Sequence, residues 1–559
     1  MQKKLLCLET LFYLFLVCGW YLYQYSCWQR DYLDADNYFH ALRLIDFFNT
    51  PHFYETVFIH SNYPFGEILH WTWAFDLIWG VLALPFLIVY PIKTAVFYSG
   101  LLVAPICLIG ATYYFLKAGR FIMAWPYRLL VLIILASQSN FMRVVALNRP
   151  DHHVLFVLLQ AAVLYNLLKF VRDRENRNLI FLGIITAFSL WAAAEGIFLF
   201  LGVFAFLIYG YLFLSYKYAY FLNFLTAYAV SLGIFLLLNP PYQGILFIDN
   251  GRLSVFYVMA AFIVTATMFC LKNVRSKIHQ MLLLLAVSLG IILVYYHNNW
   301  LISPLNERLN IPFVFRITEM ENGNSYTLAY PLVAFVLGGL LLKHKIRDEA
   351  YIFLYLNLCF YTFLTCFAMR FVPYAGVYAA FILALFVAEK FKSGKEPIGL
   401  IIFLVFLEYI SFILHIICSY SLDDLTQKID VPVLNVPQQV LEKLPKGTFA
   451  TDVFMAPYVI WFGGHNVIAS PYHRNVEGIL DNHDIFFSAN EEKVKELLKK
   501  HKVNYVLLFK NLDADYYQKP EENCDKLYGK ILACHNYPKW LKPMYLESEY
   551  FLFEVGDLQ

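Results

Sequence analysis

Three carboxylates, Asp31, Asp34 and Asp36, stand close together in DYLDADNYFHALRLIDFF, directly after a long apolar N-terminal run. Carboxylates gathered at the mouth of an apolar run form a hard-oxygen set suited to a divalent cation. The same residues suit helix initiation, because Asp34 or Asp36 ahead of an amphipathic pattern can accept the orphan N–H groups of a first turn. A second polar island, ALNRPDHHVLF, carries Asp151, His152 and His153 ahead of another apolar run. A carboxylate beside imidazoles is a metal half-site; equally, Asp151 can cap the coming helix while the histidine rings sit at an interface. Oxygen donors favour Mg²⁺ or Mn²⁺, and imidazoles tilt the choice to Mn²⁺ without excluding Zn²⁺. An ion held there could neutralise a departing phosphate or pyrophosphate as a Lewis acid. In Ala368-Met369-Arg370-Phe371-Val372-Pro373, Arg370 closes an apolar run, where its fork suits a phosphate and its stem also suits snorkelling.

The elements that must position these residues follow from composition. Of 559 residues 60% are hydrophobic, 19% aromatic and 15% charged, against about 25% charged in ordinary soluble domains, which excludes a soluble globule. The formal charge of +2 gives no bulk field, so nucleic acid is not an expected partner. Thirteen apolar runs read as membrane helices: 5–26, 94–116, 121–138, 152–170, 178–193, 196–215, 219–239, 253–272, 280–297, 327–343, 351–369, 372–390 and 397–418. The first follows MQKK without a small-residue cleavage site and reads as an uncleaved helix. The stretch 74–90, carrying Asp76, Pro85 and Pro91, is assigned to an interfacial or re-entrant helix on the outer side, because only then do the Lys/Arg clusters between spans fall on one face. Both acidic islands then share the other face, although the assignment used basic residues alone.

This predicts a polytopic α-helical membrane domain, 1–418, with long outer loops 27–93 and 298–326. Residues 419–559 should form a small periplasmic or lumenal α/β domain, with a helix at 491–500 and strands at 504–509 and 550–555. Its Cys524 and Cys534 could pair if that side is oxidising, whereas eight other cysteines lie in or beside apolar runs as small hydrophobes. Ser470-Pro471-Tyr472-His473-Arg474-Asn475 offers donors for a sugar or phosphate and reads equally as a surface turn. Charges inside spans are few: Glu9, Glu195 near a span end, and Glu408, for which the sequence offers no role.

Over its whole length the chain resembles the GT-C glycosyltransferases, and among them the catalytic subunits of oligosaccharyltransferases, which move a glycan from a polyprenyl carrier to asparagine. The resemblance places Asp36, or else Asp34, at the family's first-loop metal and acceptor-amide position, and Asn62-Tyr63-Pro64-Phe65-Gly66 at its YPxG segment. Asp151-His152-His153 stands at the D-x-D or D-x-E metal motif, with His153 in place of a carboxylate. Arg316-Ile317-Thr318-Glu319 is similar to the family's T-I-x-E segment, which implies that Glu319 assists at the active site, and Arg370 matches the arginine that holds carrier phosphate. The family's WWDYG sequon-reading motif has no counterpart; Thr451-Asp452-Val453 and Trp461-Phe462-Gly463-Gly464-His465 stand nearby instead.

The implied activity is inverting, metal-dependent transfer of a sugar or oligosaccharide from a polyprenyl (pyro)phosphate in the membrane lipid to an acceptor. Asp36, Asp151 and His153 would hold Mn²⁺ or Mg²⁺; Asp36, Asp34 and Glu319 would serve catalysis; Arg370 would bind donor phosphate; His152, Tyr472, His473 and Arg474 would touch substrate. The missing WWDYG keeps single-sugar transfer to protein hydroxyls or a glycolipid open, and a non-enzymatic transporter of lipid-linked glycans is a reading of another class. The expected setting is a bacterial inner membrane with the site facing the periplasm.

Overall fold

The computed structural model describes residues 2–27, 31–51, 54, 57–125, 127–297, 328–390, 438–472, 474–509, 520–546 and 550–558. The chain is mostly helical and an integral membrane protein: seven of its described helical stretches are long and apolar enough to cross a bilayer. Helices Gln2–Cys27, Ile92–Gly119, Tyr127–Ala136, His152–Asp173, Asn176–Ala192, Ile197–Phe213, Tyr218–Leu238, Val255–Leu271, Lys277–His297, Ala329–Lys345, Glu349–Phe367 and Val372–Lys390 fall on twelve of the expected apolar runs. The run 397–418, with Glu408, lies outside the described residues, as does the loop 298–326.

One expectation is corrected in length. In place of a span over 121–138, the helix runs only from Tyr127 to Ala136, about 15 Å, half a hydrocarbon core. Most of the shortfall is at the start, where 121–125 form turns and coil; at the other end Gln138 adopts an extended backbone, with φ −92° and ψ 107°, and its side-chain amide donates to the Gly376 carbonyl at 3.3 Å. The helix Ala74–Leu87 has 14 residues, about 21 Å, also short of a core of about 30 Å. Close approach in the bundle depends on small residues: a Cβ on Gly183 would meet the Phe224 carbonyl oxygen at 2.6 Å.

Between helices Gln2–Cys27 and Ile92–Gly119 the first loop folds as helix Ala35–Asn49, a two-stranded hairpin of β1 (Val57–Phe58) and β2 (Glu67–Ile68), and helix Ala74–Leu87. Asp34 starts helix Ala35–Asn49 through a reciprocal capping box with Asn37. Helix His152–Asp173 begins at Asp151, whose side chain makes no capping bond, so of the two sequence readings for Asp151 the cap fails.

Residues 438–558 build around a mixed sheet ordered β4–β3–β5–β7–β6, with β3 (Thr448–Thr451), β4 (Asn466–Val467), β5 (Val503–Phe509), β6 (Leu541–Leu546) and β7 (Tyr550–Val555). Strands β5 and β7 and helix Glu491–Lys500 cover the expected strand and helix segments. Their two-residue period decides how the sheet is used. Tyr505, Leu507, Phe509, Tyr550 and Leu552 join the core that runs on through the helical bundle. Val506, Leu508, Phe551 and Phe553 instead face a second core with helices Glu491–Lys500 and Leu527–Leu532. The antiparallel register pairs Leu507 with Leu552 and Val506 with Phe553, so each cross-strand pair serves one core. Cys524 and Cys534 form a disulfide.

Candidate functional site

The two acidic islands meet through an arginine between them. Arg149 Nε lies 3.1 Å from Asp34 Oδ2 and Arg149 Nη2 lies 3.5 Å from Asp151 Oδ2. Backbone contacts fix the same approach: Leu33 N–H donates to the Asn148 carbonyl at 2.9 Å, and the Asn37 amide donates to the Pro150 carbonyl at 3.4 Å. Asp34 is thus both helix cap and ion-pair partner. Asp36, two residues on in the helix's first turn, accepts from the Tyr472 hydroxyl at 2.7 Å. Burial and the neighbouring Asp36 carboxylate push the Tyr472 phenol well above its ordinary pKa, so it keeps its proton and donates. Tyr472 is seated between Phe39 and Trp71 with ring centroids at 4.7 and 4.5 Å, which carries a residue of the C-terminal sheet unit onto the first-loop helix.

In the second island, His152 Nδ1 lies 2.6 Å from Asp151 Oδ1. Both Asp151 oxygens are thus held in ion pairs, Oδ1 by His152 and Oδ2 by Arg149. His153 points elsewhere, with Nδ1 2.9 Å from the Tyr374 hydroxyl, while its ring stacks on His152 at 4.4 Å. Two sets of ligating atoms converge within 4.8 Å: His40, Asp151 and His152, and His152, His153 and Glu195. Asp36 belongs to neither, so the trio Asp36, Asp151 and His153 is not brought together as a ligand set among the described residues.

Arg370 sits in the turn between helices Glu349–Phe367 and Val372–Lys390, and its Nη2 lies 2.7 Å from Glu195 Oε1. Glu195 occupies the matching turn between Asn176–Ala192 and Ile197–Phe213. A cavity of about 70 Å³ is lined by Asn140, Arg143, Arg149, His153, Arg370 and Pro373 among others, so three guanidinium-bearing residues border one small space. Such a lining suits an anion of phosphate size.

Arg474 of the polar turn pairs with Asp249 in the loop after Tyr218–Leu238. Glu319 and His473 lie outside the described residues. Trp461, offered by the sequence near the position of the missing motif, is buried against Tyr32 and Tyr38 with centroids at 6.1 and 5.4 Å. Lys93 caps it by donating to the Trp461 carbonyl at 2.6 Å.

Sequence reasoning missed His40, Arg43, Asp76 and Arg149, and saw Glu195 only as an isolated charge. His40 Nδ1 lies 2.7 Å from Asp76 Oδ1, and Arg43 pairs with the other Asp76 oxygen. One signal was available: His40 and Arg43 follow Asp36 at helical spacing.

No protein-family model matches the chain, and no curated protein matches it. Among solved structures, the archaeal oligosaccharyltransferase AglB from Archaeoglobus fulgidus, in complex with an inhibitory peptide and a dolichol-phosphate, aligns with a TM-score of 0.62 at 13% identity over 91% of this chain and 68% of that one. The Archaeoglobus fulgidus enzyme tethered to an acceptor peptide with an NVT sequon aligns at 0.62 and 14%, covering 94% and 70%. Its complex with Zn and sulfate aligns at 0.59 and 14%, covering 94% and 69%. At these identities the likeness is one of fold alone: the chain folds like these oligosaccharyltransferase structures.

Proposed function

We propose that the chain is a membrane glycosyltransferase that moves a sugar or oligosaccharide from a polyprenyl (pyro)phosphate to an acceptor, in the manner of an oligosaccharyltransferase. The observation that carries this reading is the small space bordered by Arg143, Arg149 and Arg370, where the second outer loop meets the Arg370 turn, with Asp34 of the first outer loop and Asp151 both paired to Arg149. The neighbours of the same fold support it, being an enzyme seen with a dolichol-phosphate and with a sequon peptide.

In this reading Arg370, Arg149 and Arg143 receive the donor phosphates, and Arg370 adds positive charge where the leaving group gains negative charge. Asp36, held by Tyr472, orients the acceptor nucleophile or takes its proton, with Asp34 and Glu319 assisting. A divalent ion such as Mn²⁺ or Mg²⁺, held at Asp151 and its neighbours, would supply Lewis-acid stabilisation of the departing phosphate. The fit is supported by the convergence within 4.8 Å of ligating atoms of His40, Asp151 and His152, and of His152, His153 and Glu195. In this reading the C-terminal sheet unit reaches the site through the Tyr472–Asp36 contact, and Tyr472, His473 and Arg474 would border the acceptor on the periplasmic or lumenal side.

The test is incubation of purified protein with Mn²⁺, a polyprenyl-pyrophosphate glycan and a sequon peptide, measuring glycopeptide and released carrier, with Asp36→Ala as control. Carrier release or glycopeptide that needs Asp36 supports transfer. Donor movement across vesicles without any sugar transfer would replace the enzyme with a transporter.

A further inference from the structure

We infer that the cleft of about 400 Å³ between helix Ala35–Asn49 and the β1–β2 hairpin is a subsite for a neutral sugar ring, one belonging to an oligosaccharide whose near end reaches Asp36. The inference rests on the glycosyltransferase reading and names a part of the substrate that the reading leaves open.

The volume falls within the range of about 300–1,000 Å³ usual for small-molecule sites. Phe47, Phe58 and Trp73 form the apolar side of the cleft, and Arg43, Asp46 and His60 supply its polar groups. The walls are fixed before any ligand arrives. Trp73 lies 4.7 Å under the Arg43 guanidinium and 5.2 Å from the Phe47 ring, and its backbone N–H donates to Asn239 Oδ1 at 2.8 Å. His60 is tied to the C-terminal sheet unit: its Nδ1 lies 2.9 Å from Asn466 Oδ1, and its carbonyl accepts from Val467 N–H at 2.9 Å. A site ordered in advance binds at a lower entropic cost.

Charge decides against an ionic ligand. Arg43 is paired with Asp76, and His60 Nε2 lies 3.7 Å from Asp46 Oδ1, so each cation of the cleft faces a carboxylate. What remains is an amphipathic lining without excess charge. A sugar ring matches it, with C–H faces for the aromatic side and hydroxyls that both donate and accept for Asp46 and His60. Those two side chains are 38% and 32% exposed, so a ligand can reach them, whereas Arg43, Phe58 and Trp73 form a buried floor.

Position decides which sugar. Arg43 stands seven residues after Asp36 on one helix, about 10 Å along its axis. A single ring held at Asp36 does not extend that far. A ring in the cleft therefore belongs to a further unit of a glycan chain, carried by the polyprenyl donor or by the acceptor.

The test uses full-length protein in lipid nanodiscs, because sugar-headed detergents would compete for the cleft. Saturation-transfer NMR with maltose, cellobiose, lactose and N,N′-diacetylchitobiose should show transfer to at least one of them. Thr50→Trp fills the cleft from an exposed position and should abolish that signal. Asp46→Asn should weaken it about tenfold, as loss of a charged hydrogen-bond acceptor does, and Asp36→Asn should keep it. Thr50→Trp and Asp46→Asn alter exposed or half-exposed side chains and should unfold near the wild-type midpoint. In turnover, Thr50→Trp should raise KM about tenfold for the substrate that carries three or more rings, with kcat within about twofold and one-ring substrates unaffected. An effect confined to a polyprenyl-linked trisaccharide assigns the ring to the donor, and one confined to a glycolipid acceptor assigns it to the acceptor; either supports the subsite. The subsite is overturned by absence of transfer from wild type to all four disaccharides, by a signal lost in Asp36→Asn but kept in Thr50→Trp, or by equal KM changes for one-ring and longer substrates. Saturation transfer without carrier release from any donor would overturn the glycosyltransferase reading and leave a sugar-binding cleft standing.

Discussion

Arg149 is the side chain on which the two loop carboxylates depend. It is buried, touches Asp34 at 3.1 Å and Asp151 at 3.5 Å, and stands where two separate segments bring negative charge together. Removing one partner of such a network leaves the others uncompensated, at a cost of about 3 to 5 kcal/mol when the charges are buried. Arg149→Ala should therefore lower the thermal midpoint by several degrees and abolish carrier release. Arg149→Ala combined with Asp34→Asn should recover part of the lost stability and none of the activity. Equal and additive losses in the double variant would show that the arginine does not couple the loops. Tyr472 gives a second prediction at this scale. Tyr472→Phe keeps the ring packed on Phe39 and Trp71 but deletes the donor to Asp36, so turnover should fall about tenfold with the thermal midpoint nearly unchanged. These residues divide by how far the sequence could reach them. Asp34, Asp36 and Asp151 were legible because acidic residues at the ends of apolar runs stand out. Glu195 and Asp76 were not, because their partners Arg370 and His40 lie 175 and 36 positions away, and only the folded chain brings those pairs together.

Helices were legible where burial in a bilayer imposes length, and less so where a local polar contact interrupts them. The run 121–138 is apolar enough to cross, yet it begins as turns over 121–125 and ends where the Gln138 amide finds the Gly376 carbonyl, leaving ten helical residues. Helix contact gives a further prediction. Gly183 lets Asn176–Ala192 lie against Tyr218–Leu238, and an added Cβ would press on the Phe224 carbonyl at 2.6 Å and the Ala227 Cβ at 2.8 Å. Backbone cannot yield as a flexible side chain does, so Gly183→Ala should destabilise by about 1 to 3 kcal/mol despite the better helix propensity of alanine. An unchanged or raised thermal midpoint would contradict that packing. The hairpin of β1 and β2 is likewise tied to the C-terminal unit, through Tyr63 N–H to the Val467 carbonyl at 3.2 Å and the Ser470 hydroxyl to Glu67. Burial pushes the Glu67 carboxyl up to about 7, against hydrogen bonds from Ser470 and Ser61 that favour its ionised form. The folded chain then holds a proton that the unfolded chain has released, so this contribution to stability is complete below about pH 4.5 and is lost as pH rises through 7. Wild-type thermal midpoints should fall between pH 5 and 7.5 relative to Glu67→Gln, and parallel curves would show that Glu67 ionises freely in the fold.

At the scale of the whole molecule, the five-stranded sheet binds the C-terminal unit to the bundle, because alternate residues of β5 and β7 face two different cores. That alternation was visible only in part from sequence: apolar strands could be recognised, but which face meets the bundle depends on a register set by strand pairing. The coupling means that the side of the membrane holding Tyr472 also holds Asp36, and with it the candidate site. The disulfide between Cys524 and Cys534 makes that side measurable, since such a bond persists in an oxidising compartment and not in a reducing one. In sealed, correctly oriented membranes, an impermeant maleimide should add two labels to this unit only after treatment with an impermeant reductant. The seven described cysteines outside this pair, Cys7, Cys18, Cys27, Cys107, Cys270, Cys359 and Cys366, all lie within apolar helices, so a Cys524→Ser, Cys534→Ser variant supplies the background. Reduction should also lower the thermal midpoint, because the bond closes a loop between residues ten apart and links of this kind contribute about 2 to 4 kcal/mol. Labelling without reductant, or only after the membrane is opened, would place the unit on the reducing face. The basic clusters would then lie on the opposite side from that assigned by the positive-inside rule, and the donor would have to be reached from the other leaflet.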